Sequence, residues 1–267
     1  MKRSLLPTTV CGRGQVKRPD SYVQRTYRTL ADESGLISSF AKVKDTDLYI
    51  LADRDVSIRA LELALQFRLQ IEKYIERHPE FFLTLSPLPK DVLAPPIVRE
   101  MLVAGNDAGV GPMAAVAGAI AEYVGMTLLR EGCREVMVEN GGDLFISRTE
   151  DCTVAIFAGQ SPLSLKIGIK LRPEGVPIAV CTSSGTVGHS LSFGEADSVT
   201  VIAGSTALAD AAATRLGNEV GRASKGDAGI KRALEVSRTI DGLSGVVVVC
   251  GEKLGAVGNV ELVKLTL

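Results

Sequence analysis

Three short segments of the 267-residue chain gather residue types that do chemistry. In Val138-Glu139-Asn140-Gly141-Gly142-Asp143-Leu144, two adjacent glycines allow positive φ and leave backbone N–H groups uncovered, which suits an anion. The same Asn-Gly signal suits a tight hairpin turn that binds nothing. The segment Cys181-Thr182-Ser183-Ser184-Gly185-Thr186-Val187-Gly188-His189-Ser190 crowds hydroxyl groups, two glycines and one of only two histidines just past a strand-like run. Such a loop can donate several hydrogen bonds to phosphate or ribose oxygens, and it can equally be a polar surface loop. Asp210 and Thr214 stand four residues apart in an Ala-rich helical pattern and so share one face. A carboxylate and a hydroxyl placed this way are hard oxygen ligands for Mg²⁺, which keeps other positions for water and substrate phosphate. The alternative is an Asp that caps the first helical turn while Thr214 packs.

The elements around these segments follow from periodicity and turn residues. Runs at 22–30, 36–43 and 48–52 are short, β-rich and separated by turns, as in an antiparallel meander. From 56 to 77, Ile58, Leu61, Leu65 and Leu69 recur at helical spacing with Arg59, Glu62, Lys73 and Glu76 turned outward. Pro87, Pro89, Pro95 and Pro96 enforce a loop, followed by a helix from about 97 to 104. The stretch 112–130 is an Ala-rich buried helix; Gly118 costs it about 1 kcal/mol against Ala, which implies close packing at that point. Strands are expected at 135–138, 144–147, 153–157, 165–169, 178–182 and 198–203, then helices at 206–220 and 229–239, then strands at 246–250 and 260–265. The expected architecture is a single compact α+β domain over 21–267, with a mixed, largely antiparallel sheet and packed Ala-rich helices, preceded by a flexible arm over 1–20.

Composition narrows the function classes. Lys+Arg 30 against Asp+Glu 31 gives a net charge of −1, which provides no general attraction to nucleic acid or an anionic membrane. The five cysteines are scattered with no CxxC pair, which argues against a zinc knuckle or a disulfide framework. Only Ser4-Leu5-Leu6 follows Lys2-Arg3 before Pro7, too short for a signal-peptide core, and no window reaches the ~18 apolar residues of a membrane span. A cytoplasmic protein is expected.

Taken in order, Asn140-Gly141-Gly142-Asp143, Thr182-Ser183-Ser184-Gly185, His189-Ser190, Ser198-Val199-Thr200-Val201-Ile202-Ala203 and Ala209-Asp210-Ala211-Ala212-Ala213-Thr214 resemble the ApbE family of flavin transferases. The resemblance spans about 111–220, and Gly118-Ala119-Ile120-Ala121-Glu122 is similar to the family's Gly-containing helix. It implies an enzyme that splits FAD with Mg²⁺ and attaches FMN to a Thr or Ser of an acceptor protein. It makes Asp210 and Thr214 ligands of Mg²⁺, with a backbone carbonyl near Ala115 or Val116 as a third, and sets the flavin against 140–143 and 182–185. His189 is placed near the diphosphate, where it orients the incoming hydroxyl or accepts its proton. The implied step is in-line attack on the FMN phosphorus with AMP leaving. The chain departs from the family at Ala117, where members carry Lys or Glu, and in a shortened turn after His189. These departures motivate the other reading, a non-catalytic flavin- or nucleotide-binding protein that retains the pocket. Either way the implied partners are FAD or a related nucleotide and, for the transferase, an acceptor protein; the oligomeric state does not follow from the resemblance.

Overall fold

The computed structural model of the chain describes residues 35–185, 194–221 and 226–265. Two strands, β1 (Ile37–Val43) and β2 (Thr46–Ala52), lead into α1 (Ser57–Arg77), α2 (Pro79–Leu83) and α3 (Pro96–Ala108). A 3-10 turn at Pro112–Ala115 opens α4 (Val116–Arg130), and β3 (Val136–Asn140), β4 (Asp143–Ser147), β5 (Cys152–Ala155), β6 (Ile167–Leu171), β7 (Ile178–Ser183) and β8 (Ser198–Ala203) follow. The chain then forms α5 (Thr206–Glu219), α6 (Gly226–Ser237), β9 (Leu243–Cys250), β10 (Lys253–Gly258) and β11 (Glu261–Lys264).

Eight strands make one sheet in the order β1-β2-β3-β4-β7-β8-β9-β10, and β11-β6-β5 make a second. Every neighbouring pair in both sheets is antiparallel, in keeping with the largely antiparallel sheet expected from sequence and with no parallel pair among the described residues. The helices cover one face of the large sheet and the small sheet covers part of the other. This explains the Val246-Val247-Val248-Val249 run in β9: Val246 and Val248 join the core under the helices, while Val247 and Val249 join Ile169 and Leu171 under the small sheet. A strand buried on both faces loses the alternation that marks a half-exposed one.

The first helix corrects the sequence reading. Ala60, Leu63, Ala64, Phe67 and Ile71 face the core, while Ile58, Leu61, Leu65 and Leu69 lie on the surface. The sequence holds two adjacent apolar stripes, and the one that includes the small residues Ala60 and Ala64 is the one in the core, where α1 packs on β1. α2 and β10 were not expected; β10 is a short edge strand of mixed polarity, which weakens the periodic signal. Helix α3 runs four residues past its expected end, to an αL Gly109. The expected run at 22–30 and the arm at 1–20 lie outside the described residues.

The 112–130 stretch is long and apolar enough to cross a membrane by length and composition, at a mean hydropathy of 1.4, more than the sequence reading allowed. Here it packs against α1, α3, α5, β3 and β4, and its glycines mark the closest contacts. A Cβ on Gly125 would collide with the Phe145 ring. A Cβ on Gly118 would collide with the Thr206 carbonyl oxygen and come within 2.8 Å of Asp210 Cβ, which is the close packing its presence implied. The four described cysteines, Cys133, Cys152, Cys181 and Cys250, are free thiols.

Candidate functional site

The site forms where the first turns of α4 and α5 meet the β3–β4 hairpin and the end of β7. Asn140 and Asp143 pair across the hairpin, and Gly141 (φ 73°) and Gly142 (φ 108°) form its two-residue turn, both in the positive-φ region that favours glycine. Of the two sequence readings of this segment, the structure shows the hairpin. Its Gly142 N–H donates to Glu139 Oε1 at 2.8 Å, so that group is already engaged inside the protein.

Hydrogen bonds tie the hairpin to both helices. Asn140 Nδ2 donates to the Ala117 carbonyl at 3.0 Å, and the Gly118 N–H donates to Asp210 Oδ2 at 2.8 Å. Two consecutive residues at the start of α4 therefore connect β3 to α5, and Gly118 makes this possible because a side chain would push α5 away. Asp143 lies opposite Cys181 on β7, and the Cys181 thiol donates to the Thr206 carbonyl at 3.4 Å. Gly142 stands beside the Thr182 carbonyl, so the two segments picked out from sequence are neighbours in space.

The electrostatics are those of carboxylates gathered in a buried place. Burial pushes Asp210 up to about 7, against the pull of the Gly118 and Ala117 N–H groups. Asp143 is raised well above the usual carboxylate range, first by burial and then by the negative charges of Asp210 and Glu139. Its Oδ1 is buried without a hydrogen-bond partner. The Cys181 thiol is likewise raised, by burial and by Asp143 and Asp210.

Two residues that the sequence reading left out of the site hold α5 in place. Ser205 caps it, accepting from the Leu208 N–H at 3.2 Å, and Glu122 of α4 accepts from the Thr206 and Ala207 N–H groups at 2.7 and 3.2 Å. Burial raises the Glu122 carboxyl, and the two N–H groups oppose that rise. A Ser just ahead of an Ala-rich run is the sequence signal for the cap. Glu122 carries no such signal, because its partner lies 84 residues away.

The remaining expected residues divide. Thr214 is half-buried on α5, one turn beyond Asp210. Ala115 is buried at the junction of the 3-10 turn and α4, and that turn packs on α5. Thr182 shares a 2.9 Å hydroxyl–hydroxyl bond with Thr200, which is 3.3 Å from Ser198 Oγ in turn. The Ser183 hydroxyl is buried with no hydrogen-bond partner, and the Gly185 N–H donates to the Ala196 carbonyl at 3.0 Å. His189 lies outside the described residues. Among the described residues no three His, Cys, Asp or Glu side chains converge as a metal cage, so any cation here would depend on hydroxyl and main-chain oxygens as well as a carboxylate.

A family model described as "AbpE bacteria" matches residues 28–256. A UPF0280 protein of Methanococcus maripaludis strain C5 is 43% identical over 227 residues, covering 83% of this chain and 91% of the relative. A UPF0280 protein of Methanosarcina acetivorans is 39% identical over 225 residues, covering 84% of this chain and 87% of the relative. The flavinyl transferase ApbE of Pseudomonas stutzeri superposes with a TM-score of 0.55 at 14% identity, covering 83% of this chain and 93% of that one. A mutant of the flavin transferase ApbE from Vibrio cholerae gives 0.53 at 12% identity, covering 83% and 96%. At such identities the two structures share the fold, and it is the sequence matches that make this chain a member of the ApbE-like family, in the branch that holds the UPF0280 proteins.

Proposed function

We propose that the chain is a cytoplasmic, Mg²⁺-dependent flavin transferase that cleaves FAD and passes FMN to a Thr or Ser hydroxyl of an acceptor protein. The observation that carries this reading is the Asp143–Asp210 pair. The Asp143 carboxyl is raised by burial and by the charge of Asp210, and its Oδ1 has no partner, a combination that a nearby divalent cation would relieve. Asp210, Thr214 and the main-chain carbonyl of Ala115 or Val116 would hold it, and the bound cation would supply charge neutralisation at the FAD diphosphate.

The protein's own residues would do the rest by positioning. Thr182, Ser183, Ser184 and Gly185 would face the flavin nucleotide together with Asn140, Gly141, Gly142 and Asp143. The acceptor hydroxyl oxygen would bond to the FMN phosphorus, the bond from that phosphorus to the bridging oxygen would break, and AMP would leave with that oxygen. His189 would orient the hydroxyl or take its proton.

A second reading is a flavin- or nucleotide-binding protein without transfer chemistry. It is favoured by Ala117, which puts no charged side chain at the start of α4.

Incubating the purified chain with FAD, with and without Mg²⁺, and following AMP by chromatography separates the two. The transferase reading expects Mg²⁺-dependent AMP that is lost in Asp210→Ala. Saturable FAD binding that yields no AMP, even with candidate acceptor proteins present, supports the second reading and overturns the first.

A further inference from the structure

Apart from its carboxylates, the large sheet carries three hydroxyls in a row. Thr182 of β7 pairs with Thr200 of β8, their hydroxyl oxygens are 2.9 Å apart, and Thr200 Oγ1 is 3.3 Å from Ser198 Oγ. Ser198 and Thr200 are 0% and 1% exposed, while Thr182 is half-buried. Among the described residues none of the three hydroxyls has another hydrogen-bond partner.

Burial fixes which way the protons point. Each hydroxyl carries one proton, so the two bonds can be arranged in only three ways. If Thr182 donates to Thr200 and Thr200 to Ser198, the Ser198 proton is buried with no acceptor. If Thr182 and Ser198 both donate to Thr200, the Thr200 proton is the one left over. Either arrangement costs about 1–3 kcal/mol. Donation from Ser198 to Thr200 and from Thr200 to Thr182 satisfies both buried protons, and it leaves the free one on Thr182, the one member of the row that reaches the surface. Hydrogen bonds aligned in this way polarise one another, which strengthens the terminal donor.

The open end of the row has a defined place. Ala179 and Cys181 join the core under the helices and Val180 joins the core under the small sheet, so Thr182 continues the side of Val180, on the face of the sheet away from Asp143. On its other flank stands Gly142, beside the Thr182 carbonyl, with no side chain to cover the hydroxyl. A nucleotide whose phosphates lie by Asp210 meets this hydroxyl with its far end, across the Gly141–Gly142 edge. In FAD the flavin ring offers carbonyl oxygens there, the acceptors that an outward donor requires.

Resting on the flavin-transferase reading, we propose that Ser198 and Thr200 are positioning residues that hold the Thr182 hydroxyl as an outward donor, and that this donor binds a carbonyl oxygen of the flavin ring.

Infrared difference spectra of FAD bound to the full chain test this, because a hydrogen bond to a carbonyl lowers its stretching frequency. The flavin carbonyl band should rise in frequency in Thr182→Val. It should rise part of the way in Thr200→Val, which keeps the branched shape without the hydroxyl, and return in Thr200→Ser. The FAD dissociation constant should rise about tenfold in Thr182→Val, as for the loss of one hydrogen bond, and by less in Thr200→Val. A purely structural role for Thr200 would weaken binding without moving the band, and that result overturns the proposal. So does a band unmoved in both valine variants; if Mg²⁺ and Asp210 still govern FAD binding, the flavin reading survives that outcome. Wild-type protein that binds no FAD overturns both.

Discussion

Replacing Gly118 by Ala sets two physical effects against each other. Helix propensity alone makes Gly118→Ala stabilising by about 1 kcal/mol, since glycine loses the most backbone freedom in a helix. The packing opposes it. The added methyl meets the Thr206 carbonyl and lies within 2.8 Å of Asp210 Cβ, and the obstructing atoms are backbone and the root of a side chain, which cannot swing away. Overpacking of this kind costs about 1–3 kcal/mol, and separating the helices stretches the charge-assisted bond from the Gly118 N–H to Asp210, worth about 1.5–3 kcal/mol. After subtracting the propensity gain, the substitution should destabilise the protein by about 1.5–5 kcal/mol, or about 3–20 °C in melting temperature for a chain of this size. Urea unfolding at constant protein concentration, with the slope checked for two-state behaviour, reads the difference. A Gly118→Ala protein as stable as the parent, or more so, would refute the close α4–α5 contact on which the site depends.

Asp210 predicts a pH dependence. Its carboxyl is raised from 3.8 to about 7, so between those values the folded protein holds a proton that the unfolded chain has released. Stability should therefore fall as pH rises through that window, by at most about 1.4 kcal/mol per pH unit in the absence of divalent cations, and Asp210→Asn should flatten the profile. A wild-type profile that rises from pH 4 to pH 7 and stays unchanged in the variant would contradict this. Leu63→Ala, on the buried face of α1, should cost about 2–5 kcal/mol in chemical unfolding, and a loss below 1 kcal/mol would mean that the other stripe faces the core. Ser205→Ala removes the cap of α5 and should cost about 1 kcal/mol, measured as a shift of the urea midpoint at unchanged slope.

Local chemistry was legible wherever it was contiguous in sequence. The Asn140-Gly141-Gly142-Asp143 turn, the 206–220 helix and the small residues of α4 follow from turn preferences, Ala content and the presence of Gly118, and the structure places these segments side by side. What sequence alone missed depends on long-range partners. Glu122 reads as an ordinary helix residue until its carboxylate is seen capping α5, and the choice between the stripes of α1 depends on which of them the rest of the core meets. The glycine N–H groups show the opposite limit. Sequence offered the Gly142 N–H as an anion donor, but Glu139 Oε1 occupies it, a contact that glycine spacing cannot foretell.

The transferase reading requires a flavin nucleotide held beside Asp210 through a divalent cation. Equilibrium binding of FAD to the purified protein, with Mg²⁺ and with chelator, in parallel with Asp210→Ala, measures that directly. Saturable binding that weakens at least tenfold on removal of Mg²⁺, and equally in the variant, corresponds to about 1.4 kcal/mol of cation-dependent affinity and is the predicted result. FAD that does not bind, or that binds with the same affinity whether or not Mg²⁺ and Asp210 are present, would contradict it.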